Sequence, residues 1–212
     1  TGTLTRNEMM AADVVIADQV YQITGEGYAP AGGILRNGQT LAAGADPLLT
    51  AFARAAYCCN DARLHEQEGQ WRTEGDPMEG ALLALAGKIS GQGGQAFGGH
   101  TRLDAVPFDA AHRYMAVLSL DSDGLPHIYV KGAPEALLAM CAQQRTPEGN
   151  APLDADYWLQ QVEKLAEKGR RVLAVAARAA AAGQTAAAPC SNRGGQRQRP
   201  PTACRSRRLQ SS

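Results

Sequence analysis

A lysine and a glycine, Lys131 and Gly132, stand at a predicted strand-to-helix junction and are the first candidates for chemistry. Residues 127–131 mix β-branched, aromatic and polar side chains and predict a strand that ends at Lys131, with a turn at Gly132. Pro134 and the apolar run after it predict a helix that starts at the turn. Glycine allows close backbone approach and a helix start offers free amides, so the junction suits an anionic ligand. The alternative is a solvated lysine at a strand end.

Glu79 is a second candidate, in the first turn of another predicted helix. Asp76 and Pro77 are typical of an N-cap and a first helical position, and Glu79 follows as in a capping box. The carboxylate of Glu79 could also accept a hydrogen bond from the exocyclic amine of an adenine ring. The two roles do not exclude each other, because a carboxylate accepts several hydrogen bonds.

A predicted β-hairpin carries an aromatic ring towards the lysine. Residues 114–120 and 125–131 alternate as strands and are joined by a tight turn at 121–124. The hairpin puts Phe108 at the start of one strand and Lys131 at the end of its partner, so both are expected at one end of the sheet. A ring that stacks on a base and an ammonium that attracts phosphates suit a nucleotide. A core position for Phe108 is the alternative.

The remaining patterns predict an α+β fold, with a twisted and mainly antiparallel sheet flanked by helices. Helices are predicted after the N-caps Asp46 and Asp76 and over 154–168, where apolar residues recur at helical spacing. The glycine-rich stretch 91–99 lacks the Gly-Lys-Ser/Thr ending of a P-loop and is predicted to be a surface connection. Short strands are predicted at 14–16, 20–23, 70–73 and 170–176.

Length and charge limit the partners of the chain. Its 212 residues suffice for one substantial core, and they contain no run of 18 or more apolar residues and no signal-peptide pattern. Six of the 21 Lys and Arg residues and none of the 21 acidic residues lie in 179–212, so residues 1–178 carry a net charge of −6. Such an acidic body does not indicate nucleic-acid binding, and the arginine-rich tail could bind nucleic acid only through non-specific charge.

The cysteines indicate a reducing compartment. There are five, an odd number, and their spacing fits neither a disulfide framework nor a zinc site. Cys58 and Cys59 lie in an apolar stretch, which predicts reduced thiols in a core or on a helix surface. A cytoplasmic location follows from this usage.

Five short stretches stand in an order that matches a known family. They are Thr-Gly-Thr-Leu-Thr at 1–5, Gly-Asp-Pro-Met-Glu-Gly-Ala-Leu at 75–82, Phe108 with Arg113 and Met115, Val-Lys-Gly-Ala-Pro-Glu at 130–135, and Arg-Val-Leu-Ala at 171–174. Over roughly residues 1–178 the chain resembles the nucleotide-binding (N) domain of P-type cation-transporting ATPases. Residues 1–5 resemble the remainder of the family's phosphorylation motif, whose aspartate would come just before Thr1. Residues 25–30 resemble a segment of the subgroup that includes calcium and related cation pumps.

The resemblance implies a domain that binds ATP, as Mg-ATP, without chemistry of its own. It places Glu79 and Phe108 against adenine and Arg171 near the phosphates. Arg113 stands where relatives usually carry a pocket lysine, and Ala110 stands where some relatives carry an arginine near the phosphates. The nucleotide-binding residues that the resemblance implies are Glu79, Phe108, Arg113, Met115, Lys131, Gly132 and Arg171.

The resemblance also implies a parent pump. The partners would be ATP and the phosphorylation, actuator and transmembrane domains of that pump, with the phosphorylated aspartate and the magnesium ligands outside this chain. The chain would then be a soluble, cytoplasmic part of an integral membrane protein that binds ATP and does not hydrolyse it. Residues 1–10 would be the end of the phosphorylation motif and a hinge, 11–178 the nucleotide-binding domain, and 179–212 a low-complexity tail, disordered or artefactual.

Two alternatives come from other classes of protein. A phosphatase of the haloacid dehalogenase kind is suggested by Thr1-Gly2-Thr3, but it would need an aspartate before Thr1 and an acidic metal cluster downstream. A non-catalytic interaction module would bind nucleic acid through residues 179–212. Its binding would be salt-sensitive and would not depend on Lys131.

Overall fold

The computed structural model describes residues 8–93, 97–181 and 183–187. This part of the chain has an α+β fold in which every paired strand is antiparallel, as predicted. In chain order its elements are β1 (Asp13–Ile16), β2 (Gln19–Ile23), β3 (Ile34–Arg36), β4 (Gln39–Thr40), α1 (Pro47–Cys58), β5 (Arg63–Gln67), β6 (Gln70–Glu74), α2 (Pro77–Ser90), β7 (Thr101–Asp109), β8 (Tyr114–Leu120), β9 (Pro126–Gly132), α3 (Pro134–Met140), β10 (Gln143–Thr146), β11 (Gly149–Pro152), α4 (Ala155–Glu167) and β12 (Ala174–Ala179).

The strands form two four-stranded sheets where the sequence predicts one. The first sheet has the order β1-β2-β3-β4 and the second the order β12-β9-β8-β7, while β5-β6 and β10-β11 are separate two-stranded hairpins. Helix α1 packs between the sheets: Ala53 and Ala56 join the core of the first sheet, and Ala55 joins a core with β8 and β9. A helix with small apolar residues on opposite sides can bury both, which divides one expected sheet into two layers.

The predicted helix starts are confirmed. The carboxylate of Asp46 accepts hydrogen bonds from the amides of Leu48 and Leu49 at 2.9 and 3.1 Å. Asp76 accepts in the same way from Met78 and Glu79 at 2.8 and 3.1 Å. Each N-cap therefore satisfies two amides that lack a partner within the helix, and a proline follows in the first turn.

The second sheet contains an edge strand, β7, that the sequence analysis predicts only as a lead-in to a turn. Its nine residues include Pro107 and several charged side chains, and most of them are exposed. Such a composition is poor in strand signals, but an edge strand with an irregular register tolerates proline because it needs fewer backbone donors. Phe108 therefore ends β7 and does not begin the hairpin.

The two faces of the second sheet are covered by different helices. Met115, Val117 and Tyr129 pack with α1, whereas Val130 and Leu137 belong to the opposite core, which α3 covers. Side chains alternate between the faces of a strand. Lys131 follows Val130 in β9, so it lies on the face that is directed towards α1 and α2.

The end of the described chain is packed further than the sequence predicts. Strand β12 runs to Ala179, and Ala186 is fully buried and donates its amide to the carboxylate of Asp104 at 3.0 Å. The packed part therefore extends past the boundary predicted at residue 178. Residues 1–7 and 188–212, which hold the predicted motif remnant and most of the predicted tail, lie outside the described residues.

Three smaller predictions have clear outcomes. Helix α4 forms as predicted, but none of its residues is buried; Tyr157 anchors it by donating to the carbonyl of Ala17 at 2.5 Å. The prediction that Cys58 and Cys59 are reduced thiols is confirmed. No helix in the described part of the chain is long and apolar enough to cross a bilayer.

Candidate functional site

The register of the second sheet aligns the predicted site residues in one row. Lys131 of β9 is paired with Met115 of β8 on one side and with Val175 of β12 on the other. Between β7 and β8 the register shifts, so that Pro107 and Phe108 together lie opposite Met115. The row therefore crosses all four strands at one end of the sheet, as the hairpin prediction requires for Phe108 and Lys131.

Lys131 is a buried member of an ion pair, so the alternative of a solvated lysine is wrong. The residue is 6% exposed, and its Nζ lies 2.5 Å from Oε1 of Glu79 in the first turn of α2. The two side chains are 8% and 15% exposed. At this burial the pair joins α2 firmly to β9, because either charge alone would be left without water or a partner.

The capping box predicted for Glu79 is only half formed. Asp76 caps the helix, but the Glu79 carboxylate points away from it: Oε1 accepts from Lys131, and Oε2 accepts from the amide of Asp61 at 3.0 Å. The Glu79 carboxylate therefore bonds to Lys131 and Asp61 and does not cap its own helix. Each carboxylate oxygen still has a second lone pair, which leaves acceptor capacity for another donor.

The turn after α1, residues Asn60 to Ala62, forms a third wall of the site that the sequence analysis missed. The Asn60 side-chain amide donates to the carbonyl of Glu79 at 3.0 Å and to that of Ala56 at 3.4 Å, and its oxygen accepts from the amide of Ala62 at 2.9 Å. Polar residues after a helix predict a turn, and nothing in their spacing indicates a partner in α2.

Cys59 lies beneath the ion pair and remains a thiol. Its side chain is fully buried, and Sγ donates to the carbonyl of Met115 at 3.5 Å. Burial raises the pKa of Cys59 to about 12, although the nearby Lys131 ammonium acts in the opposite direction. The thiol is therefore neutral at physiological pH and adds no nucleophile or metal ligand to the site.

Gly132 is required by the neighbouring strand. A Cβ atom at this position would lie 2.3 Å from the carbonyl oxygen of Arg113 and 2.7 Å from Cα of Tyr114. The strand also continues through Gly132, and the next residue, Ala133, donates its amide to Arg113 at 2.9 Å. The turn predicted at Gly132 therefore comes one residue later, and the close approach that glycine permits is between β9 and β8.

Phe108, Arg113 and Arg171 are the exposed members of the predicted set. Arg113 has a φ of 58° and pairs through Nη1 with Oε1 of Glu135 at 2.6 Å, with both side chains about half exposed. Arg171 is exposed, in the segment just before β12. Phe108 is 64% exposed, so its predicted alternative as a core residue is wrong.

Met115 belongs to the core under this surface. It is 1% exposed and packs with Val117 and Tyr129. The structure thus brings Glu79, Phe108, Met115 and Lys131 to one end of the second sheet, with Gly132 and Arg113 on the adjoining backbone. Met115 contributes by filling the space behind the row and offers no surface of its own in this conformation.

Two cavities in the described part of the chain are lined by none of the seven predicted site residues. They measure about 420 and 220 Å³ and share Phe97, Gly98 and His100 in their lining, and Asn60 also lines the smaller one. The predicted site is therefore an open surface above a buried ion pair. No group of three or more His, Cys, Asp or Glu side chains among the described residues is arranged to hold a metal ion.

Comparison with known proteins identifies the family of the chain. The family model described as P-type ATPase, cytoplasmic domain N, matches residues 48–202, and the chain belongs to this family. The resemblance drawn from the sequence is confirmed at this level, and the match extends past residue 178.

Relatives include cation and calcium pumps. The chain is 36% identical over 182 residues to the cation-transporting ATPase pma1 of Synechocystis sp., which covers 83% of this chain and 20% of that protein. It is 29% identical over 189 residues to the calcium-transporting ATPase of Bacillus subtilis, covering 87% of this chain and 21% of that protein. The human calcium-transporting ATPase type 2C member 1 is 30% identical over 183 residues, covering 83% and 19%. The chain thus spans about a fifth of the length of these relatives.

Proposed function

We propose that this chain is an ATP-binding domain that holds the nucleotide at the Phe108–Lys131 end of the second sheet. The observation that carries the proposal is the row across the sheet: a 64% exposed phenylalanine and a buried lysine–glutamate pair lie at the same end of the sheet, on either side of β8. Phe108 is the most exposed of the large hydrophobic side chains among the described residues, and a base would offer its ring a flat stacking partner.

The charges of the site favour a division of roles along the nucleotide. Lys131 is neutralised by Glu79, so this pair adds little net charge for phosphates. The pair suits the base, because the Glu79 carboxylate can accept a hydrogen bond from the exocyclic amine of adenine. The exposed Arg113 and Arg171 are the available cations for phosphates. The pair between Arg113 and Glu135 is half exposed, and pairs of that kind contribute only about 0–1 kcal/mol, so a phosphate can replace Glu135.

In the parent protein the domain would position ATP for an aspartate on a neighbouring domain. That aspartate attacks the γ-phosphate, and phosphorylation drives cation transport through a membrane domain. The contribution of this chain is binding and orientation, which are the main protein contributions to phosphoryl transfer. Magnesium would reach the site with ATP, held by groups of the neighbouring domain, and this chain alone would bind ATP without turnover.

A calorimetric titration of the full chain with ATP tests the proposal. We expect saturable binding with Kd between about 1 μM and 1 mM. Phe108→Ala removes the stacking ring and should weaken ATP binding about tenfold, since stacking of one base on an aromatic ring contributes about 1–3 kcal/mol. Leu103→Ala is a matched control, because Leu103 is a large apolar residue on the same strand and is 52% exposed. Equal affinity of the Phe108 and Leu103 variants would contradict the proposed site.

A further inference from the structure

Asn60 connects the end of α1 to the first turn of α2. Its amide nitrogen donates to the carbonyl oxygens of Glu79 and Ala56, and its oxygen accepts from the amide of Ala62. The side chain is half-buried, and it uses both donor and acceptor groups within the protein. A satisfied polar group of this kind fixes the relative positions of the segments it joins.

The same turn holds the carboxylate of Glu79. Asp61, next to Asn60, donates its amide to Oε2 of Glu79 at 3.0 Å, while Lys131 donates to Oε1. Glu79 is therefore held at its backbone carbonyl by Asn60 and at both carboxylate oxygens by neighbours. Its carboxylate plane is set before any ligand arrives, and the directions of its remaining lone pairs are set with it.

We propose that Asn60 is a positioning residue that sets the selectivity of the site for adenine over guanine, acting through Glu79. The inference rests on the proposed function, in which Glu79 faces the base. Adenine presents an amine donor where guanine presents a carbonyl acceptor, so a fixed carboxylate accepts from the first and repels the second. A carboxylate free to rotate away from the base would discriminate less, because its oxygen would not be kept close to the carbonyl oxygen of guanine, where the two acceptors repel each other.

The isosteric change Asn60→Asp tests this role in the full chain. It keeps the oxygen that accepts from Ala62 and removes the nitrogen that donates to Glu79 and Ala56. The matched control is Asn150→Asp, which makes the same chemical change at an exposed asparagine of β11 that bonds Arg145 and Gln143. Two quantities are measured for each protein: the ratio of the Kd values for GTP and ATP, and the carboxyl 13C resonance of Glu79 without nucleotide.

We expect Asn60→Asp to lower the GTP-to-ATP ratio of Kd values about fivefold or more and to shift the Glu79 resonance, consistent with the loss of a buried hydrogen bond. Asn150→Asp should change neither quantity. A folded Asn60 variant with the wild-type ratio would overturn the inference, even if its thermal stability were reduced. If the wild-type chain bound neither nucleotide, the proposed function would fail, and an unshifted Glu79 resonance in the Asn60 variant would then separately overturn the positioning role.

Discussion

At the scale of single residues, the Lys131–Glu79 pair links the stability of the fold to the proposed function. The pair spans 52 positions in the sequence and is almost fully withdrawn from water. Removing one member of a buried pair leaves the other without a partner, whereas removing both leaves no isolated charge. The two cases can be separated by paired substitutions.

Lys131→Met is expected to lower the free energy of unfolding by about 3 kcal/mol, because Glu79 would be left buried and unpaired. The double variant Lys131→Met with Glu79→Gln should recover much of that loss, since Gln carries no charge. Lys168→Met, at an exposed position, is the control and should change stability by less than about 0.5 kcal/mol. Urea unfolding measures all four proteins, and a double variant no more stable than the single one would contradict the account.

The buried cysteine and tyrosine side chains predict a loss of stability at high pH. Burial raises the pKa values of Cys59, Tyr21 and Tyr129 to about 12, so the folded protein keeps protons that the unfolded chain releases from about pH 9 upward. The unfolded state then binds fewer protons, and stability falls as pH rises from about 9 to 12.

Urea unfolding at pH 8 and pH 10.5 tests this sign. We expect a lower free energy of unfolding at the higher pH, and a smaller difference in Cys59→Ala, which lacks one of the titrating groups. A free energy of unfolding that stayed constant or increased between these pH values would contradict the assignment of these side chains to a dry core.

At the scale of elements, close contact between β8 and β9 determines how the row is built. Gly132 lets the strands approach where a Cβ would meet the backbone of Arg113 and Tyr114. Gly132→Ala should therefore separate the strands and lower the free energy of unfolding by about 2–3 kcal/mol. Gly38→Ala, at a φ of 77° with open space around it, should cost only about 1 kcal/mol. Equal losses in urea unfolding would show that the strands can absorb a Cβ at Gly132.

Local signals in the sequence predict helices and strands better than they predict which of these elements pack together. Caps at Asp46 and Asp76 and the β8–β9 hairpin follow from residue types within a few positions of each other, and all three are present. Strand β7 was missed because an exposed edge strand with Pro107 has no apolar alternation to detect. The Glu79–Lys131 pair and the role of Asn60 depend on how α2 packs on the sheet, which spacing along the chain does not specify.

The site residues show the same difference between what the sequence indicates and what only packing determines. The resemblance to a family indicated Glu79, Phe108 and Lys131 together, and the structure places them at one end of the sheet. It could not indicate that Lys131 is neutralised by Glu79, because that contact exists only after α2 and β9 have packed. Under the proposed function, the charges for phosphates are consequently those of Arg113 and Arg171, which lie at the surface.

At the scale of the whole molecule, two regions of the described chain could bind a ligand, and Asn60 contacts both of them. The row through Phe108 and Lys131 is at one end of the second sheet. The cavity of about 420 Å³ adjoins the turn at Asp121, beyond the opposite end of β8, and the cavity of about 220 Å³ is lined by Asn60. The second region offers cavities, and the resemblance to the family favours the first. We propose that ATP binds at the first.

Chemical-shift mapping of the 15N-labelled full chain during titration with ATP decides between the two regions. We expect saturable shifts of the amides of Phe108, Arg113, Gly132 and Arg171, with little change at Phe97 and His100. Shifts confined to the cavity residues, or no shifts at a nucleotide concentration of several millimolar, would contradict the proposed site.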